Sequence, residues 1–401
     1  MKKRTQSWCF RWLSLGGRFI LLKNVLNSIL VYWMSLFLIP ATVLDRLRKI
    51  SYNFLWTGAK PSEGIHLASW KSITRPYCYG GWGFKFLPFF NIDLTAKSLW
   101  RALFDGGLWS MVMRGKYLGG QPVHCWIQRF DGIVASGSYV WRSLCKSFHI
   151  LEMRLVWKLG NGKLVRIGKD GILGLKHLSF LSGELINQLH CKNIFYLSQA
   201  VEDGRHVLGG RWKSAEMLEL VGNEVVDWDK FIKALTSAGI FLVESKDVLI
   251  WDWNKHSGKL TINEAYSEII QVSWNISEEW WSECLWKLKI PLKLICFGWL
   301  LLSKKVLVWE NLQSRGYCGP GRCVLCKSSS ETIHRLFLSC SFTEKVCDQI
   351  SSYYNINFTW NPLDLGTGYQ RWWQNFRNLR GLPILVWWQV WLQRNRVIFL
   401  R

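Results

Sequence analysis

Cys323-Val324-Leu325-Cys326-Lys327-Ser328-Ser329-Ser330-Glu331-Thr332-Ile333-His334-Arg335-Leu336-Phe337-Leu338-Ser339-Cys340 sets three cysteines and one histidine at spacings of two, seven and five residues. Two thiolates separated by two residues grip one ion from a tight turn, and the loop that follows returns His334 and Cys340 to the opposite side. Three sulfurs and one imidazole close a tetrahedron around Zn2+ and leave no position for water. The expected role of the metal is therefore structural, and the segment is expected to melt without it. Cys318 is near enough to stand in for one of the four donors, and Cys347 also lies close by in the chain.

Working outward, Trp280-Trp281, Leu285-Trp286-Lys287-Leu288-Lys289-Ile290-Pro291-Leu292-Lys293 and Phe297-Gly298-Trp299-Leu300 precede the cluster, and Val386-Trp387-Trp388-Gln389-Val390-Trp391-Leu392-Gln393-Arg394-Asn395 follows it. This order resembles the zinc-binding domain that follows the polymerase in plant reverse transcriptases of non-LTR, LINE-type retrotransposons. In that family a Trp-rich segment with a Lys-x-Pro-x-Lys core leads into Cys-x-x-Cys. A Glu-Thr-x-x-His-Leu-Phe stretch then precedes the last Cys, and a Trp-x-x-Trp-x-x-Arg-Asn helix closes the module. The chain has nearly all of this, with Arg335 standing between His334 and Leu336. The N-terminal Trp12-Leu13-Ser14-Leu15-Gly16-Gly17-Arg18-Phe19-Ile20-Leu21-Leu22-Lys23-Asn24, then Phe54-Leu55-Trp56-Thr57-Gly58 and Gly80-Gly81-Trp82-Gly83-Phe84, are similar to the segment after the polymerase palm. The likeness is weakest between about 172 and 245.

A polymerase palm holds two magnesium ions on clustered aspartates, and ribonuclease H holds its metals on a similar spread of carboxylates. No Asp-Asp pair occurs in the chain. The resemblance thus implies a part of a reverse transcriptase with no catalytic residues, and a start at Met1 within post-palm sequence implies a truncated or degenerate reading frame.

Charge points the same way. Lys and Arg total 51 against 28 acids, a formal charge of +23 and a pI of about 9.6, which favours phosphate backbones, RNA or DNA. Of the first fifty residues, nine are basic and Asp45 is the one acid. Arg18, Lys23, Arg46, Arg48 and Lys49 are the candidate nucleic-acid contacts, on helices that correspond by resemblance to the polymerase thumb. The other reading is a structural or protein-interaction relic that binds no nucleic acid, and the salt dependence of binding separates the two. The 27 tryptophans mostly recur at core-like spacing with Leu and Ile. Trp82, between glycines, and Trp372 and Trp373 beside Arg371 are the candidates for stacking on bases. Asp252 and His256 make a weak acid–base pair with no accompanying nucleophile.

Twelve cysteines spread over 401 residues do not resemble a secreted disulfide scaffold, and thiolate ligands suit a reducing interior, nucleus or cytoplasm. Asn24 to Leu44 carries no charge and is long enough for a bilayer, but its polar residues, Pro40 and helical apolar spacing predict a bundle helix instead.

With 49% hydrophobic and 20% charged residues, substantial cores are expected. The predicted fold is α+β and mostly helical. Residues 1–58 form a thumb-like helical bundle, with helices opening at Gly16-Gly17 and restarting at Pro40. Residues 59–270 form a mixed region, with a helix over Ile92–Phe104, a strand over Leu164–Gly168, and a hairpin joining Val248–Trp253 to Lys259–Ile262 through Gly258. Residues 271–401 form a helical module around the zinc loop.

Overall fold

The computed structural model describes residues 13–58, 64–132, 136–175, 181–202, 212–252, 257–274, 277–319, 321–358 and 364–399. The fold is α+β and mostly helical. Its compact units do not follow the three expected segments. One unit combines the N-terminal residues through Tyr32, Ile39–Pro88 and everything from Trp274 onward, while the other holds Trp33–Leu38 and Phe89–Ser273.

In the first unit the helix Leu15–Leu21 starts at Ser14, whose hydroxyl accepts the Gly17 N–H at 3.3 Å. A π-helical turn, Leu22–Leu26, carries it into Asn27–Leu36. Pro40 precedes the next helix, Ala41–Thr57, and Gly58 at φ 65° ends it. The central helix, Leu292–Leu302, starts after Pro291 and is apolar all round, with every residue from Leu294 to Leu301 buried, as befits a helix enclosed on all sides. A Cβ on Gly16 would sit 3.1 Å from the Lys293 backbone nitrogen, so glycine lets the N-terminal helix cross the central one closely. Gly298 does the same for the last helix, Leu382–Phe399, whose Ile384 would be 3.0 Å from a Cβ there. The N-terminal helices and the Cys/His segment therefore share one core, because each buries its apolar face on the same central helix.

The continuous helical stretch Leu15–Leu36 is, among the described residues, the one helix long and apolar enough to cross a membrane by length and composition. Phe19, Leu22, Leu30 and Met34 are buried, whereas Ile20, Tyr32 and Trp33 are exposed. Burial in a bundle accounts for one side of it.

The second unit corrects the expected hairpin. Strand β1, Leu155–Lys158, pairs antiparallel with β2, Val248–Trp251, with Leu155 opposite Trp251. Residues beyond Gly258 instead enter the helix Ile262–Trp274. Thr261-Ile262-Asn263-Glu264 is a capping-box sequence, and the Thr261 hydroxyl bonds the Glu264 carboxylate. Leu164–Gly168 is likewise not a strand: Arg166 makes an isolated bridge with Tyr196, and the buried Asp170 carboxylate closes the loop by accepting the Arg166 N–H at 2.8 Å and its guanidinium at 2.7 and 3.0 Å. The helix expected from Ile92 starts earlier, at Leu87, with Pro88 tolerated in its first turn.

Candidate metal centre and nucleic-acid interface

The Cys-x-x-Cys turn is built by its own backbone. Cys323 N–H donates to Ser329 O at 2.7 Å, Lys327 N–H donates to Cys323 O at 2.8 Å, and Glu331 N–H donates to Gly321 O at 2.8 Å. Lys327 closes the turn in the left-handed region, at φ 59°. After His334 comes a π-helical turn, Arg335–Ser339, that buries Leu336, Phe337 and Leu338 in succession. Cys340 then stands at the N-cap of the helix Ser341–Tyr353.

The sulfurs of Cys323, Cys326 and Cys340 converge within 4.8 Å of one another. Cys323 Sγ and Cys340 Sγ lie 3.9 Å apart, close to the separation of about 3.8 Å for two thiolates 2.3 Å from a tetrahedral zinc. Burial pushes the Cys323 thiol up to about 11. Cys326 also feels burial, but the hydroxyl and backbone N–H of Ser328 and the Cys323 and Cys340 thiols draw it down to about 6. The Ser328 hydroxyl donates to Cys326 Sγ at 3.2 Å. His334 does not join the converged sulfurs at the same distance. Its Nδ1 faces Ser339 Oγ at 3.4 Å, while its Nε2 is buried without a hydrogen-bond partner. An orphaned buried ring nitrogen costs about 1–3 kcal/mol, and a metal bond would remove that cost. The donor set fits zinc: Cys323, Cys326 and Cys340 would hold it, with His334 Nε2 the fourth donor. Cys318 is exposed and outside the cluster.

Residues 260–346 match the family described as zinc-binding in reverse transcriptase. The chain carries a reverse transcriptase zinc-binding domain. It is also 26% identical over 350 residues to a provisionally named ribonuclease H protein of Arabidopsis thaliana, an alignment covering 85% of this chain and 53% of that relative. The chain thus spans about half the length of the curated relative it matches.

Against the pattern Glu-Thr-x-x-His, this zinc-binding domain has Arg335 in the fifth place and His334 in the fourth. One residue along a helix turns a side chain by about 100°, which accounts for His334 standing off from the sulfurs. What holds the domain's frame was not visible in the sequence. Glu331 and Arg394 form a buried pair, with Arg394 Nη2 2.7 Å from Glu331 Oε1 and Arg394 Nε 3.3 Å from Oε2. Glu331 Oε1 also accepts the Trp309 N–H at 2.9 Å. The signal was present in two quoted motifs, the Glu-Thr stretch and the terminal Arg-Asn, but nothing in the sequence joined them.

The candidate nucleic-acid contacts fare unevenly. Arg18 donates to Leu55 O and Trp56 O at 2.9 and 3.0 Å, so it caps the carbonyl end of Ala41–Thr57. Lys23 bonds the Tyr77 hydroxyl and lies 4.6 Å from that ring's centroid. Arg48 and Lys49 share Asp45, at 2.7 and 3.0 Å. Arg46 is exposed. Arg18 and Lys23 are thus taken up within the fold, whereas the Arg48 and Lys49 pairs with Asp45 stay at the surface.

The stacking candidates Trp82 and Trp372 are core residues instead. Trp82 is fully buried, 5.3 Å from Trp299 and 5.7 Å from Phe19. Trp286 and Trp299 donate their ring N–H groups to Gly81 O and Gly80 O at 3.0 and 2.9 Å, which ties the Gly-Gly-Trp-Gly turn to the domain's Trp-rich helices. Trp372 donates to Leu379 O, and Trp373 lies under the Arg380 guanidinium, 4.3 Å away. His256 falls outside the described residues.

Proposed function

We propose that the chain is a non-catalytic, nucleic-acid-binding part of a reverse transcriptase, folded around a structural zinc and working in a reducing interior, nucleus or cytoplasm. The observation that carries this reading is a formal charge of +23 on a chain with a reverse transcriptase zinc-binding domain. Support for the non-catalytic part comes from the carboxylates. No two aspartates are adjacent, and of the buried acids Asp93, Asp170, Asp247 and Glu331 the last three are engaged by backbone N–H groups, a glutamine amide or a guanidinium. A carboxylate so engaged is not available to bind a catalytic magnesium.

Elemental mass spectrometry on the wild type and Cys326→Ser, with RNA and DNA binding over a salt series, tests the reading. One zinc per chain, lost in the variant, with affinity falling steeply as salt rises, is the expected result. Zinc without any binding would leave the relic reading. Primer extension or RNA cleavage by the purified chain, abolished by no cysteine change, would refute the non-catalytic assignment.

A further inference from the structure

Of the N-terminal cations, Arg18 and Lys23 are taken up within the fold and Arg48 and Lys49 share Asp45, whereas the metal loop carries cations with no such partner among the described residues. Arg322, Lys327 and Arg335 are all exposed, and no side-chain hydrogen bond or ion pair holds any of them among the described residues. Each adjoins a metal donor: Arg322 precedes Cys323, Lys327 follows Cys326, and Arg335 follows His334. Because the three sulfurs lie within 4.8 Å of one another, the three cationic residues flank one small centre.

Their backbones are held in place. Arg322 is bridged antiparallel to Ser330, Lys327 is fixed at φ 59° by its N–H bond to Cys323 O, and Arg335 N–H donates to the Thr332 hydroxyl at 3.1 Å. Little ordering of the loop remains to be done when a ligand arrives.

Charge balance decides whether these cations merely neutralise the metal site. Zinc with three thiolates and a neutral imidazole carries a net charge of about −1. Residues 321–340 contain one acid, Glu331, and it is buried against Arg394. Three cations against a single negative charge leave an uncompensated surplus of about +2 on the exposed loop.

We propose that the zinc loop is itself the nucleic-acid contact, with Arg322, Lys327 and Arg335 binding successive phosphates of one strand. The proposal rests on the nucleic-acid reading above and moves the contact from the N-terminal helices to the metal loop. A phosphate backbone fits better than an acidic peptide or a membrane, because the loop offers three exposed cations with Tyr317 the one large exposed apolar side chain among described residues 315–340.

The test uses the full zinc-loaded chain, a fluorescent single-stranded RNA, the same sequence as DNA and as duplex, and phosphatidylserine vesicles. The Gln triple variant at positions 322, 327 and 335 is compared with wild type over a salt series. Zinc content serves as the fold control. We expect the slope of log affinity against log salt to shrink by about 2–3, each lost contact accounting for about 0.7–0.9. The variant Arg322→Lys with Arg335→Lys should keep the slope, and Arg46→Gln with Lys49→Gln should leave it within about 0.5. A zinc-loaded triple variant with an unchanged slope would overturn the proposal while leaving the general reading intact. Wild type that binds none of the nucleic acids would defeat the general reading itself. Binding to vesicles but not to nucleic acid would overturn the choice of partner. Should the triple variant lose zinc, the single variant Lys327→Gln, at the exposed turn, decides by the same criterion, with a slope change of about 0.7–0.9.

Discussion

Replacing Arg394 by Met should destabilise the first unit more than any other exchange of similar volume in the last helix. Arg394 and Glu331 side chains are 6% and 2% exposed, so the pair is out of water. Removing the guanidinium leaves Glu331 with the Trp309 N–H, its one remaining donor among the described residues. Breaking a buried ion pair from one side costs about 3–5 kcal/mol, because the surviving charge is uncompensated. In a unit of about two hundred residues each kcal/mol lowers Tm by about 2–4 °C, so a fall of about 10 °C or more is expected. Thermal unfolding followed by far-ultraviolet circular dichroism measures it, with zinc held in excess. The double variant Glu331→Gln, Arg394→Met should recover part of the loss, since no unpaired charge then remains, and its cycle should give a coupling above about 1 kcal/mol. A single variant within about 1 kcal/mol of wild type, or a double variant whose loss is the sum of the two, would refute the idea that the pair is electrostatically coupled.

Three further perturbations reach other parts of the chain. Asp247 accepts the N–H groups of Gly160, Gly162 and Leu164 at 2.7, 2.9 and 3.0 Å, so Asp247→Asn, which leaves one good acceptor, should cost about 2–4 kcal/mol in urea denaturation of the second unit while zinc content stays constant. Gly81→Ala would place a methyl 1.9 Å from Arg75 O, whereas Gly106→Ala meets nothing within 4 Å; the first should lower soluble yield and Tm sharply and the second should change neither. Lys305 lies against Ser72 Oγ and over the Trp299 ring, and burial, helped by Arg75, draws its amine down to about 8. Unfolded lysine binds more protons between pH 8 and about 10.4, so folding stability should rise with pH across that window. Stability measurements on Lys305→Met should show a flatter rise there, and an identical slope would remove Lys305 as the cause.

Sequence periodicity and spacing located elements whose ends are set by nearby groups. Gly16-Gly17 and Pro40 were read as helix starts, and Ser14, Pro40 and Pro291 supply the caps or fixed φ that act within a turn. Aromatic and basic residues were harder to read. Trp82 between glycines looked available for stacking, yet Gly80 and Gly81 leave their carbonyls open to Trp299 and Trp286, more than two hundred residues later. Arg18 and Lys23 looked like phosphate contacts, yet a carbonyl end and a tyrosine pocket take them up. A hairpin between Val248 and Ile262 satisfied local rules, but β1 offered a full ladder and the Thr261–Glu264 side-chain bond stands at the start of a helix.

The three cysteines that converge and the helical character were legible from the amino-acid order, because a Cys-x-x-Cys turn and helix capping act over a few residues. Tertiary structure alone decided which charges face water, which tryptophans form the core, and that the N-terminal helices share a core with the zinc-binding domain. Those outcomes depend on partners brought together from distant parts of the chain, as Glu331 meets Arg394 and Gly16 meets Lys293. Burial and desolvation, which set the energy of such meetings, have no counterpart in local spacing.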